Sequence, residues 1–247
     1  MKNNFLNEKL VQISNNVYCS SFIFNLDIEN RLLPNCYYDY PFLIIDDFLA
    51  QEDCLLINKN IQDSSNHQKA SLRTLDNIPD ETLNEDIRKT FIYKIKSTYL
   101  NTYSTKFKEN QNRIENYFNL CMTKSTKLQA LEYLQNHFYD VHSDDSSMIY
   151  HKNSLVGFKP VAKNRKLTTV LFTTTYDKNH TDENSFNGGE LIFNFLFDKN
   201  NGKVVKIKPK MGQLIVFPSN PFFCHEVKKV KNGRRISLVQ WHDAILN

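Results

Sequence analysis

The segment HFYDVHSDDS, residues 137–146, places two histidines and three aspartates within ten positions. Imidazole nitrogens and carboxylate oxygens are both common metal ligands. A histidine followed two residues later by an acid, as in His142-Ser-Asp144, puts both side chains on one face of a β-strand. A second histidine from a distant strand would complete the two-histidine, one-carboxylate facial triad, which holds non-haem Fe(II) and leaves coordination positions open.

The spacing alone is weak support for a metal site. Seven histidines and 27 acidic residues in 247 positions produce about 0.8 such pairs by chance. A second pair, His180-Thr-Asp182, lies in the polar, turn-forming run YDKNHTDENSFNGG, which predicts a solvated loop. The first pair follows an apolar strand that ends at Tyr133, and it is therefore the preferred candidate.

Two late histidines, His225 and His242, are candidates for the third ligand. His225 follows a proline-containing turn and has apolar neighbours, as expected where a barrel strand begins. Arg235 opens the apolar strand RISLVQW, and an arginine directed into a barrel needs an anion that fits its planar guanidinium, such as a carboxylate. Ser237, on the same strand face, could add a hydroxyl donor. The alternative for Arg235 is a strand-end side chain that reaches out to water.

The elements that must position these residues fall into two groups. Helical spacing is found first, and the predicted helices cover residues 50–61, 80–100 and about 107–121. Strand patterns then dominate, and besides an early strand within 40–50 the predicted strands cover residues 127–134, 166–175, 190–197, 204–209, 213–218 and 234–241. No helical pattern separates the later strands, which favours an antiparallel barrel or jelly roll over βαβ units. The predicted class is α+β.

Composition narrows the classes of protein. The chain has 40% hydrophobic and 23% charged residues, which is typical of a globular protein. A net charge of +4 with dispersed lysines disfavours a nucleic-acid partner. The five scattered cysteines contain no Cys-x-x-Cys pair, which argues against a zinc ribbon or a disulfide framework. No signal-peptide core or membrane-spanning run is found, so we expect a cytoplasmic protein without a membrane partner.

The order of these segments resembles the 2-oxoglutarate- and Fe(II)-dependent dioxygenases, in particular their prolyl-hydroxylase-like branch. The resemblance runs from about residue 41 to residue 243 and rests on PFLIIDDFL, LQALEYLQNHFYDVHSD, RKLTTVLFTT, FNGGELIF, KPKMGQLIVFPS and HEVKKVKNGRRISLVQW. It implies a double-stranded β-helix, a jelly-roll or cupin-like barrel, supported by N-terminal helices. Residues 1–40 would be an N-terminal extension and residues 41–247 a single dioxygenase domain, with helices at about 50–121 and the barrel at about 127–243.

The resemblance also implies roles for individual residues. The implied iron ligands are His142, Asp144 and His225. Arg235, helped by Ser237, would bind the distal carboxylate of 2-oxoglutarate. Tyr133 would contact this cosubstrate or, alternatively, only line the barrel.

Two departures from the family pattern limit which residue roles and loops can be inferred from the family. Phe172 stands where many members have a second tyrosine, so that hydrogen bond to the cosubstrate is absent. The connection from Asp144 to Arg165 is long, so a substrate-facing loop cannot be copied from relatives. The segments 64–79 and 145–165 are predicted to form the mouth of the site, and the substrate and oligomeric state stay open.

The implied reaction is hydroxylation of an unactivated C–H bond in a protein or peptide side chain, with succinate and CO2 as coproducts. It would use Fe(II), 2-oxoglutarate and dioxygen, with ascorbate as a candidate reductant. Asp144 favours hydroxylation, because halogenating relatives have a small residue in its place. The same chemistry on a free amino acid or natural product stays open, as does a non-catalytic barrel that acts as a binding module. A nucleic-acid demethylase is disfavoured, because Trp241 stands where that branch carries a second arginine.

Overall fold

The architecture is given by a computed structural model that describes residues 9–29, 31–64, 67–69, 72–73, 79–80 and 86–246. Its helices are α1 (Ser21–Asn25), α2 (Gln51–Gln62) and α3 (Ser97–Phe118), with one 3-10 turn at Pro221–Phe223. The strands of the N-terminal part are β1 (Leu10–Gln12), β2 (Val17–Ser20), β3 (Leu43–Ile45), β4 (His67–Lys69), β5 (Leu72–Arg73), β6 (Pro79–Asp80), β7 (Arg88–Lys89) and β8 (Phe91–Tyr93). Those that follow α3 are β9 (Leu120–Ser125), β10 (Gln129–Tyr133), β11 (Phe138–His142), β12 (Ser146–His151), β13 (Ser154–Pro160), β14 (Leu167–Phe172), β15 (Thr175–Tyr176), β16 (Ser185–Gly188), β17 (Leu191–Asp198), β18 (Val204–Ile207), β19 (Leu214–Pro218), β20 (His225–Val227), β21 (Val230–Gly233) and β22 (Arg235–Leu246).

Two large sheets form the barrel. The eight-stranded sheet has the order β3-β19-β14-β22-β10-β8-β4, with β9 paired to β22. The seven-stranded sheet has the order β1-β2-β17-β20-β11-β7, with β18 paired to β17. The strands β10, β11, β14, β17, β19, β20 and β22 alternate between the two sheets as the chain proceeds. This alternation is the winding of a double-stranded β-helix, so the predicted fold is confirmed.

The alternating side chains of β14 explain why a helical layer accompanies the barrel. Val170 and Phe172 belong to the core between the sheets, whereas Leu171 belongs to a second core with residues of α2 and α3. Successive strand residues point to opposite faces. Because both faces of β14 are covered, the whole strand is buried. The eight-stranded sheet is therefore rigidly held at the point where it contributes to the site.

Most predicted elements are confirmed, with shifted ends. The six later strands coincide with β10, β14, β17, β18, β19 and β22, the early strand with the shorter β3, and the first helix with α2. The weak helix expected at 107–121 is the C-terminal part of α3, which ends where Asn119 adopts a left-handed conformation with φ of 50°.

The helix predicted at 80–100 is wrong. Residues 88–89 and 91–93 form strands, and α3 begins only at Ser97. Leu83, which the predicted helix would have included, lies outside the described residues. The apolar stripe at Ile87, Phe91 and Ile95 has a period of four. A period of four is also a multiple of the two-residue strand repeat, so the stripe fits a pleated strand equally well. Pairing of β8 with both β4 and β10 decides in favour of the strand.

The N-terminal residues contribute to the barrel sheet. Strand β1 pairs with β2, and β2 pairs with β17 at Leu196, Phe197 and Asp198. Two strands within the segment predicted as an extension thus continue the seven-stranded sheet, although the division at residue 40 stays a prediction. The five cysteines are free, as their spacing indicated. Among the described residues, no helix is both long and apolar enough to span a membrane.

Candidate metal centre

Three side chains converge at the mouth of the barrel. Strands β11 and β20 are neighbours and pair His142 with His225. The Nε2 atom of His142 lies 4.0 Å from Oδ1 of Asp144, and the Nε2 atom of His225 lies 3.9 Å from Oδ2. One ligand atom from each residue lies within 4.8 Å of the other two, and within the described ranges this is the one such group of histidine, cysteine and acidic side chains. The structure thus brings together the three predicted ligands.

Backbone carbonyls orient both imidazoles. The Nδ1 atom of His142 lies 2.8 Å from the carbonyl oxygen of Asp140, and that of His225 lies 2.9 Å from the carbonyl oxygen of Phe223. A carbonyl oxygen can only accept, so Nδ1 carries the proton in each ring. Each Nε2 is left with a lone pair that faces Asp144, which is the arrangement that a metal-binding histidine requires.

The protonation states also suit a cation. Burial, and after it the nearby His225, lowers the pKa of His142 to about 3, so the imidazole is neutral at physiological pH. Burial alone would raise the pKa of Asp144, but His225, His142 and a hydrogen bond from Thr168 outweigh it and lower the pKa. His142 and Asp144 are therefore a neutral imidazole and a carboxylate, both able to bind a metal without losing a proton.

Asp144 is held differently from the expectation. Strand β11 ends at His142, so Asp144 lies in the bend beyond it and does not share a strand face with His142. The hydroxyl of Thr168 donates to Oδ2 of Asp144 at 2.7 Å, and a guanidinium nitrogen of Arg165 donates to its backbone carbonyl at 3.0 Å. The sequence analysis did not identify the hydrogen bond from Thr168 to Asp144. Thr168 is a polar residue within the fully buried strand β14, and such a residue needs a hydrogen-bond partner, so its position was the available signal.

A second missed residue lies against His142. The ring of Tyr139 stacks on the His142 imidazole with centroids 3.6 Å apart and planes inclined by 15°. Burial raises the pKa of the Tyr139 phenol, so it stays protonated. This aromatic face fixes one side of the predicted ligand. No signal in the sequence distinguishes Tyr139 from an ordinary strand tyrosine.

A buried guanidinium lies deeper in the barrel. Arg235 is only 2% exposed and donates to the hydroxyl oxygen of Ser237 at 3.1 Å. Its guanidinium carbon lies 5.0 Å from the ring centroid of Tyr133 and 5.3 Å from that of Phe172. Burial lowers the pKa of Arg235 to about 10, so it remains a cation at neutral pH.

No anion balances this cation. Within the described part of the chain, Nε of Arg235 has no hydrogen-bond partner and no carboxylate pairs with the side chain. The neighbouring Arg234, by contrast, pairs with the carboxylate of Glu132. A buried cation without an anion is costly, so a bound anion would stabilise Arg235. Phe172 supplies an aromatic surface beside the guanidinium.

The remaining acids and imidazoles of HFYDVHSDDS lie apart from the three ligand atoms. His137 is buried and packs on Phe91, with ring centroids 5.1 Å apart. Asp140 is on β11 itself and not in a connection before it, with an exposed side chain. Asp145 accepts a hydrogen bond from Ser143 at 3.1 Å, and burial raises its pKa to about 6.

The competing histidines are used elsewhere. His242 lies between Ser125 at 2.8 Å and Thr169 at 3.0 Å, and its ring stacks on Phe107. His180 contacts the Ser185 hydroxyl at 3.1 Å within the turn that carries the second pair. Neither belongs to the converging group, which agrees with the choice of His225.

Comparison with known proteins agrees with this geometry. A model of the family described as the 2OG-Fe(II) oxygenase superfamily matches residues 128–243. Two PKHD-type hydroxylases of Prochlorococcus marinus, from strains MIT 9312 and MIT 9515, are 39% and 41% identical over 61 residues. These matches cover 25% of this chain and 24% of each relative, so the chain spans about a quarter of the length of these curated relatives.

Solved structures show the same fold. A Trichoplax adhaerens prolyl hydroxylase in complex with a hypoxia-inducible-factor peptide fragment has a TM-score of 0.59 and 21% identity, covering 82% of this chain and 83% of its own. A Pseudomonas putida prolyl-4-hydroxylase has a TM-score of 0.56 and 19% identity, covering 82% of this chain and 91% of its own. At these identities the likeness shows the fold alone. The chain is thus similar to the 2OG-Fe(II) oxygenase superfamily over residues 128–243 and has a fold like that of the prolyl hydroxylases.

Proposed function

We propose that this chain is an Fe(II)- and 2-oxoglutarate-dependent dioxygenase that hydroxylates a C–H bond of a protein or peptide side chain. The observation that carries the proposal is the convergence of His142, Asp144 and His225, with ligand atoms within 4.8 Å of one another. Two neutral imidazoles and a carboxylate are the donor set of non-haem Fe(II) oxygenases. When bound, Fe(II) and 2-oxoglutarate supply the activation of dioxygen, and the balanced reaction converts substrate, 2-oxoglutarate and O2 into hydroxylated substrate, succinate and CO2.

Arg235 is proposed to bind the distal carboxylate of 2-oxoglutarate. Its planar guanidinium offers parallel N–H donors to a carboxylate, and its burial strengthens such a pair. Because Ser237 accepts from Arg235, its own hydroxyl hydrogen is left to donate to the same carboxylate. Tyr133 lies beside the guanidinium, which supports a contact with the cosubstrate.

The substrate is proposed to enter beside the hairpin formed by β12 and β13. This hairpin begins at Ser146, directly after the Asp144 bend, within the long connection that distinguishes the chain. Its Leu155 and Phe158 pack on the core, whereas Ile149 and Val156 are exposed. An anchored hairpin with exposed apolar residues next to the metal ligands is suited to contact a substrate. The segment 64–79, also predicted at the mouth, lies mostly outside the described residues.

An anaerobic titration tests the proposal. The purified chain receives Fe(II) and then 2-oxoglutarate, and the absorption band of the iron–2-oxoglutarate chelate is recorded before air is admitted and succinate is measured. We expect one equivalent of each to bind and succinate to form in air. His225→Ala should abolish both signals. A non-catalytic binding module would give neither the band nor succinate in the unmodified chain, and that result would refute the dioxygenase.

A further inference from the structure

Arg88 lies close to the metal centre, next to the tyrosine that stacks on His142. It is on β7, the edge strand of the seven-stranded sheet, where it pairs with Tyr139 of β11. The guanidinium carbon of Arg88 lies 4.5 Å from the centroid of the Tyr139 ring. The same ring stacks on the His142 imidazole, with centroids 3.6 Å apart. The Tyr139 ring therefore contacts both Arg88 and a predicted iron ligand.

The guanidinium of Arg88 packs on Tyr139, but no carboxylate among the described residues pairs with it. The contact with the Tyr139 ring uses no N–H···O hydrogen bond, so the N–H groups of Arg88 can donate to an acceptor. Its Nε is buried without a hydrogen-bond partner, and across the described ranges no carboxylate forms an ion pair with it. A partly buried cation in this state lacks the compensation that desolvation requires.

The other arginines near the centre each have an acceptor in the structure or a ligand already proposed for them. Arg165 donates to the backbone carbonyl of Asp144, and Arg234 donates to the carboxylate of Glu132. Arg235 is enclosed in the barrel, where the proposed cosubstrate would reach it. Arg88 is half-buried and lies on the Tyr139 side of His142, so an anion at Arg88 would belong to a different molecule.

We infer that Arg88 is a substrate-binding residue that holds a carboxylate group of the substrate. This inference rests on the proposed dioxygenase function and narrows its substrate to molecules with an anionic group close to the carbon that reacts. A carboxylate is favoured because its two oxygens match the paired N–H groups of a guanidinium. The group can be the α-carboxylate of a free amino acid, the C-terminus of a peptide, or an aspartate or glutamate side chain.

A binding experiment tests Arg88 directly. The Nε–H signal of Arg88 is identified in the nitrogen-15 NMR spectrum of the full chain by its loss in Arg88→Gln. Probes are added as matched acids and amides: the L-amino acids with their primary amides, a proline-containing peptide with a free or amidated C-terminus, and blocked aspartate with blocked asparagine. Spectra are recorded with and without Zn(II) and 2-oxoglutarate, so the result does not depend on turnover. We expect an acid to shift the Arg88 signal and its amide to leave it unchanged.

Lys89 provides the matched control. It carries the same charge on the same two-residue strand, but adjacent strand residues point to opposite faces, and Lys89 pairs with Phe138. With the acid probe that binds, Arg88→Gln should raise the KM for substrate in succinate formation by about 10-fold or more, the scale of a lost charge-assisted hydrogen bond. Lys89→Gln should not change it, and thermal melts should show both variants folded.

The outcomes separate the inference from the function on which it rests. If no acid shifts the Arg88 signal, if acids and amides shift it equally, or if Lys89→Gln acts like Arg88→Gln, the substrate site at Arg88 is refuted even where succinate forms. If an acid binds at Arg88 but no succinate forms with any metal loading, the dioxygenase fails and the anion site stands. Which matched pair responds identifies the source of the carboxylate.

Discussion

Two segments of the chain carry the same His-x-Asp spacing and do different things. At His142 and Asp144, a neighbouring strand adds His225, backbone carbonyls orient both rings and Thr168 holds the carboxylate. The Asp182 carboxylate accepts from the backbone N–H of Asn184, at 2.8 Å. The comparison teaches that the surroundings, and not the spacing, make a metal site. Asp182 closes its own turn, and among the described residues it belongs to no converging group of metal-ligating side chains.

The largest expected effect comes from removing the carboxylate of each pair in turn. Asp144→Ala removes a predicted iron ligand, so bound Fe(II) after desalting and 2-oxoglutarate turnover should both fall to background. Asp182→Ala removes only a turn contact and should leave both at the level of the unmodified chain. Iron analysis and succinate assays check the pair. Retention of iron by Asp144→Ala, or equal losses in both variants, would contradict the assignment.

The adjacent residues Arg235 and Arg234 allow a similar comparison for binding of the cosubstrate. Arg235→Gln removes an unbalanced buried cation, and the KM for 2-oxoglutarate should rise by about 30-fold or more, the scale of truncating a buried charge pair. Arg234→Gln breaks the pair with Glu132 instead and should lower the melting temperature without that change in KM. Steady-state kinetics and thermal melts give both quantities. A similar KM in the two variants would exclude Arg235 as the carboxylate partner.

A smaller effect is expected when the hydrogen bond that holds the Asp144 carboxylate is removed. Thr168→Val keeps the shape of the side chain and removes the hydroxyl that donates to Oδ2, so Fe(II) affinity should fall about 10- to 100-fold. Thr169→Val, on the same strand, removes hydrogen bonds to His242 and Tyr103 and should cost stability only. Competition with a chelator measures the affinities. An unchanged affinity in Thr168→Val would show that the hydroxyl does not position the carboxylate.

The smallest effect concerns the buried histidine that binds no metal. Burial lowers the pKa of His242 to about 4, below the ordinary value of 6.5, so the unfolded chain binds more protons between these values. The contribution of His242 to the free energy of unfolding is therefore fully present above pH 6.5. It declines as the pH falls toward 4, by at most about 1.4 kcal/mol per pH unit. His142 shifts in the same direction in metal-free protein.

Denaturant unfolding of metal-free His242→Gln between pH 7 and pH 4.5 checks this contribution. We expect the variant to lose less stability than the unmodified chain over this range. Parallel curves would show that His242 does not contribute to the pH dependence.

The sequence was sufficient to predict an element wherever its residue pattern is compatible with one type of secondary structure. The later strands are short apolar runs between turn residues, and this pattern predicted an antiparallel barrel, whereas the pairing of β22 with β10 and β14 comes from the structure. The stripe through Ile87, Phe91 and Ile95 had two solutions, and only the contact of β8 with β10 selected one. Arg235 was singled out because a cation is costly inside a barrel, whereas the assignment of His142, Asp144 and His225 as ligands came from the family resemblance. Thr168, Tyr139 and Arg88 are ordinary residues whose importance comes from neighbours that the linear order does not reveal.

The alternation of strands between the two sheets has a consequence for biosynthesis. His142 and His225 face each other on β11 and β20, but the hairpin and the strands from β14 to β19 are synthesised between them. A nascent chain that has not yet extended through β20 carries only two of the three predicted ligands. Stable loading of iron should therefore wait until β20 has been synthesised and has paired with β11, and chains truncated before β20 should be unable to keep the metal.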